Sequence, residues 1–422
     1  MIKVGIIGVG TVGSSVVNIL QENRDIITAR AGKEITPVLG VVKNLGRDRG
    51  LNIPLSNDID DILNDESIDI VVELMGGVDE AFKVVKKALA NGKAVVTANK
   101  AMLAYHRYEL QQSANRQPIG FEASVAGGIP IIKALREGLS ANHIESIKGI
   151  MNGTCNYMLT KMMSDGVEFD EILKEAQELG YAEADPSFDV GGFDAAHKLL
   201  ILASIAYGID AKPEDILIEG IEDVNSEDIF FANEFGYNIK LLTIAKKSGD
   251  SVELRVHPAL IRKSEMIAKV DGVMNAVSVV GDRVGETMYY GPGAGGDATA
   301  SAVIADIIDI ARDGNNSPML GFKKILENDI LRLKSPNEIY TKYYVRVEVE
   351  DRVGVLSAIS TILGENSISI GSFLQKQSKN EKNATLLFST HLCYEKDIQN
   401  AIKKIKEFKF VKKNPIMIRI EE

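Results

Sequence analysis

Residues Lys3–Gly13, KVGIIGVGTVG, form a short apolar run that ends in three glycines, Gly8, Gly10 and Gly13. Their spacing is G-x-G-x-x-G, after a predicted strand and before a predicted helix. Each glycine has its own physical task. Gly8 permits the tight turn, Gly10 lets a pyrophosphate approach the backbone, and Gly13 lets the next helix pack close to the strand. The following segment, SSVVNILQENRDIITA, reads as that helix, with its first amides and dipole facing the phosphates. A purely structural glycine turn is the plainer alternative, but the strand–turn–helix setting favours a dinucleotide.

Outward from this turn, strands and helices alternate. ITPVLGVVK (Ile35–Lys43) reads as a strand, DIDDILND (Asp58–Asp65) as a short helix, and IDIVVELMG (Ile68–Gly76) as a strand. VDEAFKVVKKALANG is a helix, KAVVTANK (Lys93–Lys100) a strand, and AMLAYHRYELQQSAN a helix. Such alternation implies a parallel, doubly wound sheet with ligands at the carboxyl ends of the strands. ELMGG (Glu73–Gly77) and TANK (Thr97–Lys100) lie at such ends. After the second strand come Lys43, Arg47 and Arg49, cations suited to the 2′-phosphate of NADP. Asp48 lies among them and keeps NAD open.

The bulk properties bound the function. The chain has 422 residues and a net charge of -11, with 45% hydrophobic and 25% charged residues. That is an ordinary globular composition of two or three domains, and its charge disfavours nucleic-acid or anionic-membrane partners. Cys155 and Cys393 are far apart, which argues against a disulfide framework or a zinc site and fits a reducing cytoplasm. The chain opens directly on a strand, so no secretory leader is expected, and no apolar run is long enough to span a bilayer.

From about Phe121 the pattern changes. GFEASVAGGIPIIKALREGL holds a glycine-rich turn and a helix, and ANHIESIKGIMNGTCNYMLTKM a strand, a Gly-Thr turn and a helix from near Thr154. Two further helices flank a polar loop with Glu183, Asp185 and Asp189. The second of them, within DVGGFDAAHKLLILA (Asp189–Ala203), is apolar on nearly every face yet carries Asp194 and Lys198 four residues apart, on one side. Two readings stand. The pair is a buried salt bridge and nothing more, which is poor evidence of stability. Or Lys198 exchanges a proton with a substrate hydroxyl as a hydride moves, aided by burial that disfavours a lysine's charged form, with Asp194 orienting it.

At this point the motifs GVGTVG, VVTANK, GFEASVAGGIPII, NGTCNYML, GYAEADPSFDVGGFDAAHKL and GPGAGGDATASAVIADI resemble, in order and spacing, the homoserine dehydrogenases. The resemblance covers Met1 to about Leu320 and implies interconversion of L-aspartate 4-semialdehyde and L-homoserine, a step toward threonine and methionine. It implies catalytic roles for Lys198, Lys100 and Asp194, and substrate binding by Glu183, Asp189, Gly153 and Thr154. Cofactor contacts are expected at Gly8, Gly10, Thr11, Val12, Gly13, Lys43, Gly76, Thr97, Lys100 and Gly293, the last in a glycine turn where Pro292 departs from the family pattern. Glu122, Val125, Gly127 and Ile129 match the family's monovalent cation position (Na+ or similar), built largely from carbonyl oxygens. The resemblance also implies a homodimer or homotetramer. His106, His143, His197 and His257 have no metal spacing and read as structural or exposed.

The remainder is a separate pattern. KILENDILRLKSPNEIYTK is polar and reads as a linker. After it, YYVRVEVE alternates strictly, as a half-buried strand does, and the order continues helix, strand, strand, helix, strand. This βαββαβ order is ferredoxin-like. With DRVGVLSAISTILGENSISIGSF it resembles an ACT domain, a small-molecule sensor in which the turn Asp351–Gly354 presents amides to an effector's carboxylate. Threonine is the expected effector; a purely structural dimerisation module is the alternative. The expected architecture is therefore α/β, with a Rossmann NAD(P)-binding domain over 1–121 completed by a helix at about 297–316. An α+β catalytic and dimerisation domain spans 122–320, a linker 321–341, and a ferredoxin-like ACT domain 342–422. A non-catalytic nucleotide and amino-acid sensor, or a reductase of another amino-acid semialdehyde, would use the same scaffold.

Overall fold

The computed structural model describes residues 1–114, 116–312, 317–324, 331–377 and 382–421. The chain divides into two compact units. One comprises Met1–Met151, Asp194–Asp215 and Met274–Leu331; the other comprises Asn152–Phe193, Ile216–Val273 and Arg332–Glu422.

The first unit begins with β1 (Ile2–Ile7), α1 (Thr11–Glu22), α2 (Arg24–Ala31), β2 (Ile35–Val41), β3 (Leu55–Ser56) and α3 (Asp60–Leu63). It continues with β4 (Ile70–Glu73), α4 (Asp79–Ala90), β5 (Ala94–Thr97), α5 (Lys100–Ser113) and β6 (Ile119–Gly120). The six strands lie parallel in the order β3-β2-β1-β4-β5-β6. The order reverses between β1 and β4, which opens a crevice at their carboxyl ends. Val4, Ile6, Val72 and Val96 of the sheet are buried with Val16 and Val17 of α1 and with Val303 and Ile307 of the helix Gly296–Ala311. Each such side chain contributes about 1.5–3 kcal/mol by burial, so this late helix completes the sheet's cover. The last four residues of the expected helix, 313–316, lie outside the described residues, as does 325–330 of the expected linker.

Two local differences from the sequence reading have simple causes. The helix expected to run unbroken through IITA breaks at Asn23, because positions 21–26 are all exposed and give the helix nothing to bury. The polar loop before Asp194 contains an additional helical turn, Ser187–Val190, with Asp189 inside it.

In the second unit, Tyr237–Ser248 and Ser251–Arg262 form a long antiparallel hairpin. The βαββαβ order appears as Tyr340–Glu350, Val355–Glu365, Ile370–Gln377, Asn383–Thr390, Glu395–Lys406 and Ile416–Glu421. Its helices cover one sheet face through Ile359, Leu363, Ile398 and Ile405, packed on Val345 and Val347. The alternating strand departs from its pattern at Tyr344, whose buried hydroxyl donates to Asp228 Oδ1 at 2.7 Å. The last strand also pairs in parallel with Ala259–Ile261 of the hairpin, so the C-terminal sheet continues the hairpin's own. Periodicity within a strand carries no information about that partner. Among the described residues, no helix is long and apolar enough to cross a membrane.

Candidate active site

The glycine turn has the expected geometry. Gly8 has φ +98, and a Cβ there would meet the Leu74 carbonyl oxygen at 2.4 Å. A Cβ on Gly13 would meet Gly8 O at 2.5 Å, whereas one on Gly10 would meet nothing within 4 Å. The turn is therefore tight at its outer glycines and open where a diphosphate needs room. Helix α1 starts at Thr11 and Val12 with no side-chain cap, so a ligand's anionic group can take that role.

A cleft of about 350 Å³ opens beside it, lined by Gly8, Gly10, Lys43, Arg49, Leu74 and Met75 among others. Arg49 is anchored there: its Nε donates to Val9 O at 3.0 Å, and its Nη1 to Asn44 O and Arg47 O at 3.0 and 2.8 Å. Arg47 and Asp48 are not part of the lining. The Asp48 carboxylate instead accepts the Gly50 amide at 2.9 Å, within its own turn. Gly76, at φ +74, is exposed just beyond β4. Thr97 is fully buried. Its hydroxyl donates to Glu73 Oε2 at 2.6 Å and accepts the Asn99 amide at 3.0 Å, so it fixes the strand end from within. Burial holds the Glu73 carboxyl above its ordinary pKa, opposed by the Thr97 hydrogen bond.

Asn99 caps α5 by accepting the Met102 amide at 3.0 Å, and its Nδ2 donates to Gly77 O at 2.7 Å. That side chain ties the TANK segment to the ELMGG turn and places Lys100 at the helix start. From there Lys100 Nζ lies 3.0 Å from Asp194 Oδ1. The other oxygen, Asp194 Oδ2, accepts from Lys198 Nζ at 2.8 Å, and Lys198 also donates to Met151 O at 2.7 Å. One carboxylate thus bridges two amines. The side chains of Asp194 and Lys198 are 6% and 11% exposed, whereas that of Lys100 is 36% exposed. A lysine ammonium has three donors, and two of those on Lys198 are engaged among the described residues. His197, the preceding residue, is buried edge-on to Tyr105, and burial lowers its pKa. The Lys100–Asp194 contact is the component that sequence reasoning missed, since its partners lie on different helices. An Asn before a helix start is a recognisable cap signal, but the Asn99 bond to Gly77 is not.

In the second unit, Gly153 and Thr154 open the helix Gly153–Asp165, capped by Asn152, which accepts the Cys155 amide at 2.8 Å. Asn152 Nδ2 donates to Asp189 Oδ1 at 2.8 Å, and the Cys155 thiol donates to Asp189 O at 3.2 Å. Asp189 is therefore held at a helix N-terminus, where its charge is favoured. The Thr154 hydroxyl donates to Tyr181 O at 2.5 Å, and Glu183 is exposed in the loop.

The Glu122–Ile129 turn belongs to the first unit. The Glu122 carboxylate accepts the amides of Ile132 and Lys133 at 2.8 and 2.9 Å, capping the short helix Ile131–Lys133. Burial and the neighbouring Asp306 push its pKa to about 7. Both its oxygens accept from the backbone. Ala126 and Gly127 both have positive φ, 54° and 51°, which turns successive carbonyls aside. A Cβ on Gly127 would meet Gly293 O at 2.6 Å, and one on Gly296 would meet Ser15 Oγ at 2.7 Å. The glycine turn after Pro292 is thus seated between the Glu122–Ile129 turn and the start of α1. Among the described residues, no group of three or more His, Cys, Asp or Glu side chains is placed to hold a metal.

Comparison with known proteins agrees with this geometry. Residues 130–308 match the family model for homoserine dehydrogenase, residues 8–120 that for the homoserine dehydrogenase NAD-binding domain, and residues 343–410 that for the ACT domain. A homoserine dehydrogenase of Helicobacter pylori is 57% identical over 420 residues, spanning 100% of this chain and 99% of the relative. The crystal structure of a homoserine dehydrogenase from Thiobacillus denitrificans is similar with a TM-score of 0.94 and 46% identity, over 100% of this chain and 98% of that one. A hyperthermophilic archaeal homoserine dehydrogenase in complex with NADPH has a TM-score of 0.63 and 29% identity, over 77% of this chain and 99% of its own.

Proposed function

Because this chain belongs to the homoserine dehydrogenase family, a family of oxidoreductases acting on a CH-OH group, we propose that Lys198 exchanges the proton as L-aspartate 4-semialdehyde and L-homoserine interconvert. The observation that carries this is the Asp194 carboxylate bridging Lys100 and Lys198. A nicotinamide held at the Gly8–Gly13 turn would supply or remove the hydride. In the reducing direction Lys198 gives a proton to the aldehyde oxygen while the carbonyl carbon gains the hydride, and the product is a CH-OH group. Lys198 is left neutral, and Asp194 with the Met151 carbonyl keeps its nitrogen in place for reprotonation. In the oxidising direction the neutral amine accepts the hydroxyl proton. Lys100 holds the other oxygen of Asp194 and, being part exposed at the start of α5, meets cofactor and substrate. Glu183 and Asp189 receive the substrate ammonium, and the Gly153–Thr154 helix start its carboxylate.

The proposal includes NADP as the preferred cofactor, because Lys43 and Arg49 line the cleft while Asp48 is engaged in its own turn. It includes a monovalent cation on the carbonyls of Glu122, Val125, Gly127 and Ile129, whose chemistry there is structural. The domain limits 1–121, 122–320, 321–341 and 342–422, a homodimer or homotetramer, a cytoplasmic location, and threonine as the effector of the ACT domain complete it. The test is NADPH absorbance on adding L-aspartate 4-semialdehyde, repeated with NADH, with sodium or potassium, and with threonine. Rapid loss with NADPH is expected, slower with NADH and inhibited by threonine. No loss from folded, NADPH-binding protein would overturn the substrate assignment.

A further inference from the structure

We infer that Arg419, on the last strand of the chain and acting through Glu219, is a positioning residue for the substrate loop that carries Asp189. Arg419 is fully buried. Its Nη1 and Nη2 donate to the two oxygens of Glu219 at 2.6 and 3.0 Å, a bidentate fork. Its Nε and Nη2 donate on the other side to Glu395 at 2.9 and 2.5 Å, and the Tyr343 hydroxyl donates to the same carboxylate at 2.9 Å. The guanidinium is therefore clasped between two carboxylates and has almost no freedom to turn.

Glu219 is in turn rigidly joined to the loop. It follows the short strand Leu217–Ile218, and its amide donates to Val256 O at 2.8 Å. Two residues later, the Ile221 amide donates to Val190 O at 2.9 Å. The two backbones approach closely here, with the Glu222 carboxylate packed against Gly220 and the Val256 and Ile218 side chains against Gly192. A Cβ on Gly220 would lie 2.5 Å from Val190 O, and one on Gly192, at φ +84, would lie 3.4 Å from Glu219 O. Val190 is the neighbour of Asp189. Asp189 is thus held from one side by the Asn152 cap and from the other by a segment whose end is forked to Arg419. A fork fixes direction as well as distance, which apolar packing of equal volume would not do. No step of the chemistry uses Arg419, and the inference rests on the reading of Asp189 as a substrate ligand.

The experiment is Glu219→Gln in the full chain, with kcat, KM for L-homoserine, KM for NADP, melting temperature, and amide hydrogen exchange over 187–192. Glu219 is 35% exposed at its side chain, so the substitution leaves Arg419 paired with Glu395. The expected result is a KM for homoserine raised about fivefold, kcat within about twofold, an unchanged KM for NADP, and faster exchange at the Val190–Gly192 amides. Arg419→Lys keeps the charge and removes the fork, and the double variant should be no worse than either single one. The inference is overturned if homoserine KM and loop exchange stay at wild-type values in folded variants. It is equally overturned if kcat and both KM values shift together, as a general loss of structure would produce. Asp189→Asn separates the two readings. A flat Asp189→Asn beside a raised Glu219→Gln keeps the joint and removes the substrate role of Asp189. The reverse pattern removes the joint alone.

Discussion

Two buried charge clusters in this molecule invert each other's stoichiometry, and on the proposed reading only one of them does chemistry. In one, Lys100 and Lys198 share the carboxylate of Asp194. In the other, Arg255 meets Glu253 and Glu421, and Arg419 meets Glu219 and Glu395. A lysine amine can lose its proton when its surroundings require it, whereas a guanidinium stays charged. The lysine cluster also reaches solvent, with Lys100 at 36% side-chain exposure, while Arg255 and Arg419 are at 3% and 0%. Burial of opposite charges is therefore not in itself a mark of catalysis. The mark is a group that can change protonation where a ligand can reach it.

The largest expected effect falls on Lys198. Lys198→Ala should lower kcat by about 10²–10⁴-fold, with NADPH binding unchanged by fluorescence titration. Lys198→Arg sharpens the comparison, because it keeps the ion pair but replaces an amine that can give up its proton with a guanidinium that does not; it should be as inactive as the alanine variant. Substantial turnover by Lys198→Arg would break the distinction between the clusters.

Next comes Arg255→Ala, which leaves Glu421 buried without the cation that pairs it, while Glu253 keeps Lys334 at 3.5 Å. It should cost about 3–5 kcal/mol in urea unfolding, while the surviving folded fraction keeps its kcat. A selective fall in kcat with normal stability would show that the arginine cluster is not merely structural.

A smaller effect is expected at Arg49, a cation at the mouth of the cofactor cleft. Arg49→Ala should raise KM for NADPH about tenfold and leave KM for NADH nearly unchanged, since one phosphate contact contributes on the order of 1.4 kcal/mol. Equal changes for both cofactors would assign Arg49 to loop structure alone.

The smallest effect is a pH slope. Burial, then the guanidiniums of Arg419 and Arg255, hold His257 well below its ordinary pKa of 6.5. The folded state keeps it neutral, while the unfolded chain takes up a proton below that pH. The unfolded state then binds more protons, so stability rises with pH and is lost as pH falls below 6.5, by at most ~1.4 kcal/mol per unit for this group. Urea midpoints at several pH values should decline less steeply in His257→Gln. Parallel slopes in the two proteins would remove His257 as the cause.

Much of this was legible in the residues because it is local. The glycine turn at Gly8–Gly13, the cation at Lys43, the strand end at TANK and the alternation in YYVRVEVE each express their structure over a few neighbours. Asp194 and Lys198 share a helix face by spacing alone. Local pattern thus carries the parallel sheet, the βαββαβ tail and the helix that buries an amine, although not the break at Asn23 or the turn Ser187–Val190. Packing between distant elements sets that Lys100 takes the second oxygen of Asp194, that Asn152 reaches Asp189, and that Arg419 forks onto a carboxylate 200 residues away. Periodicity and spacing report which face of its own element a side chain occupies. Which distant group meets it there depends on how the elements pack, and no local pattern encodes that.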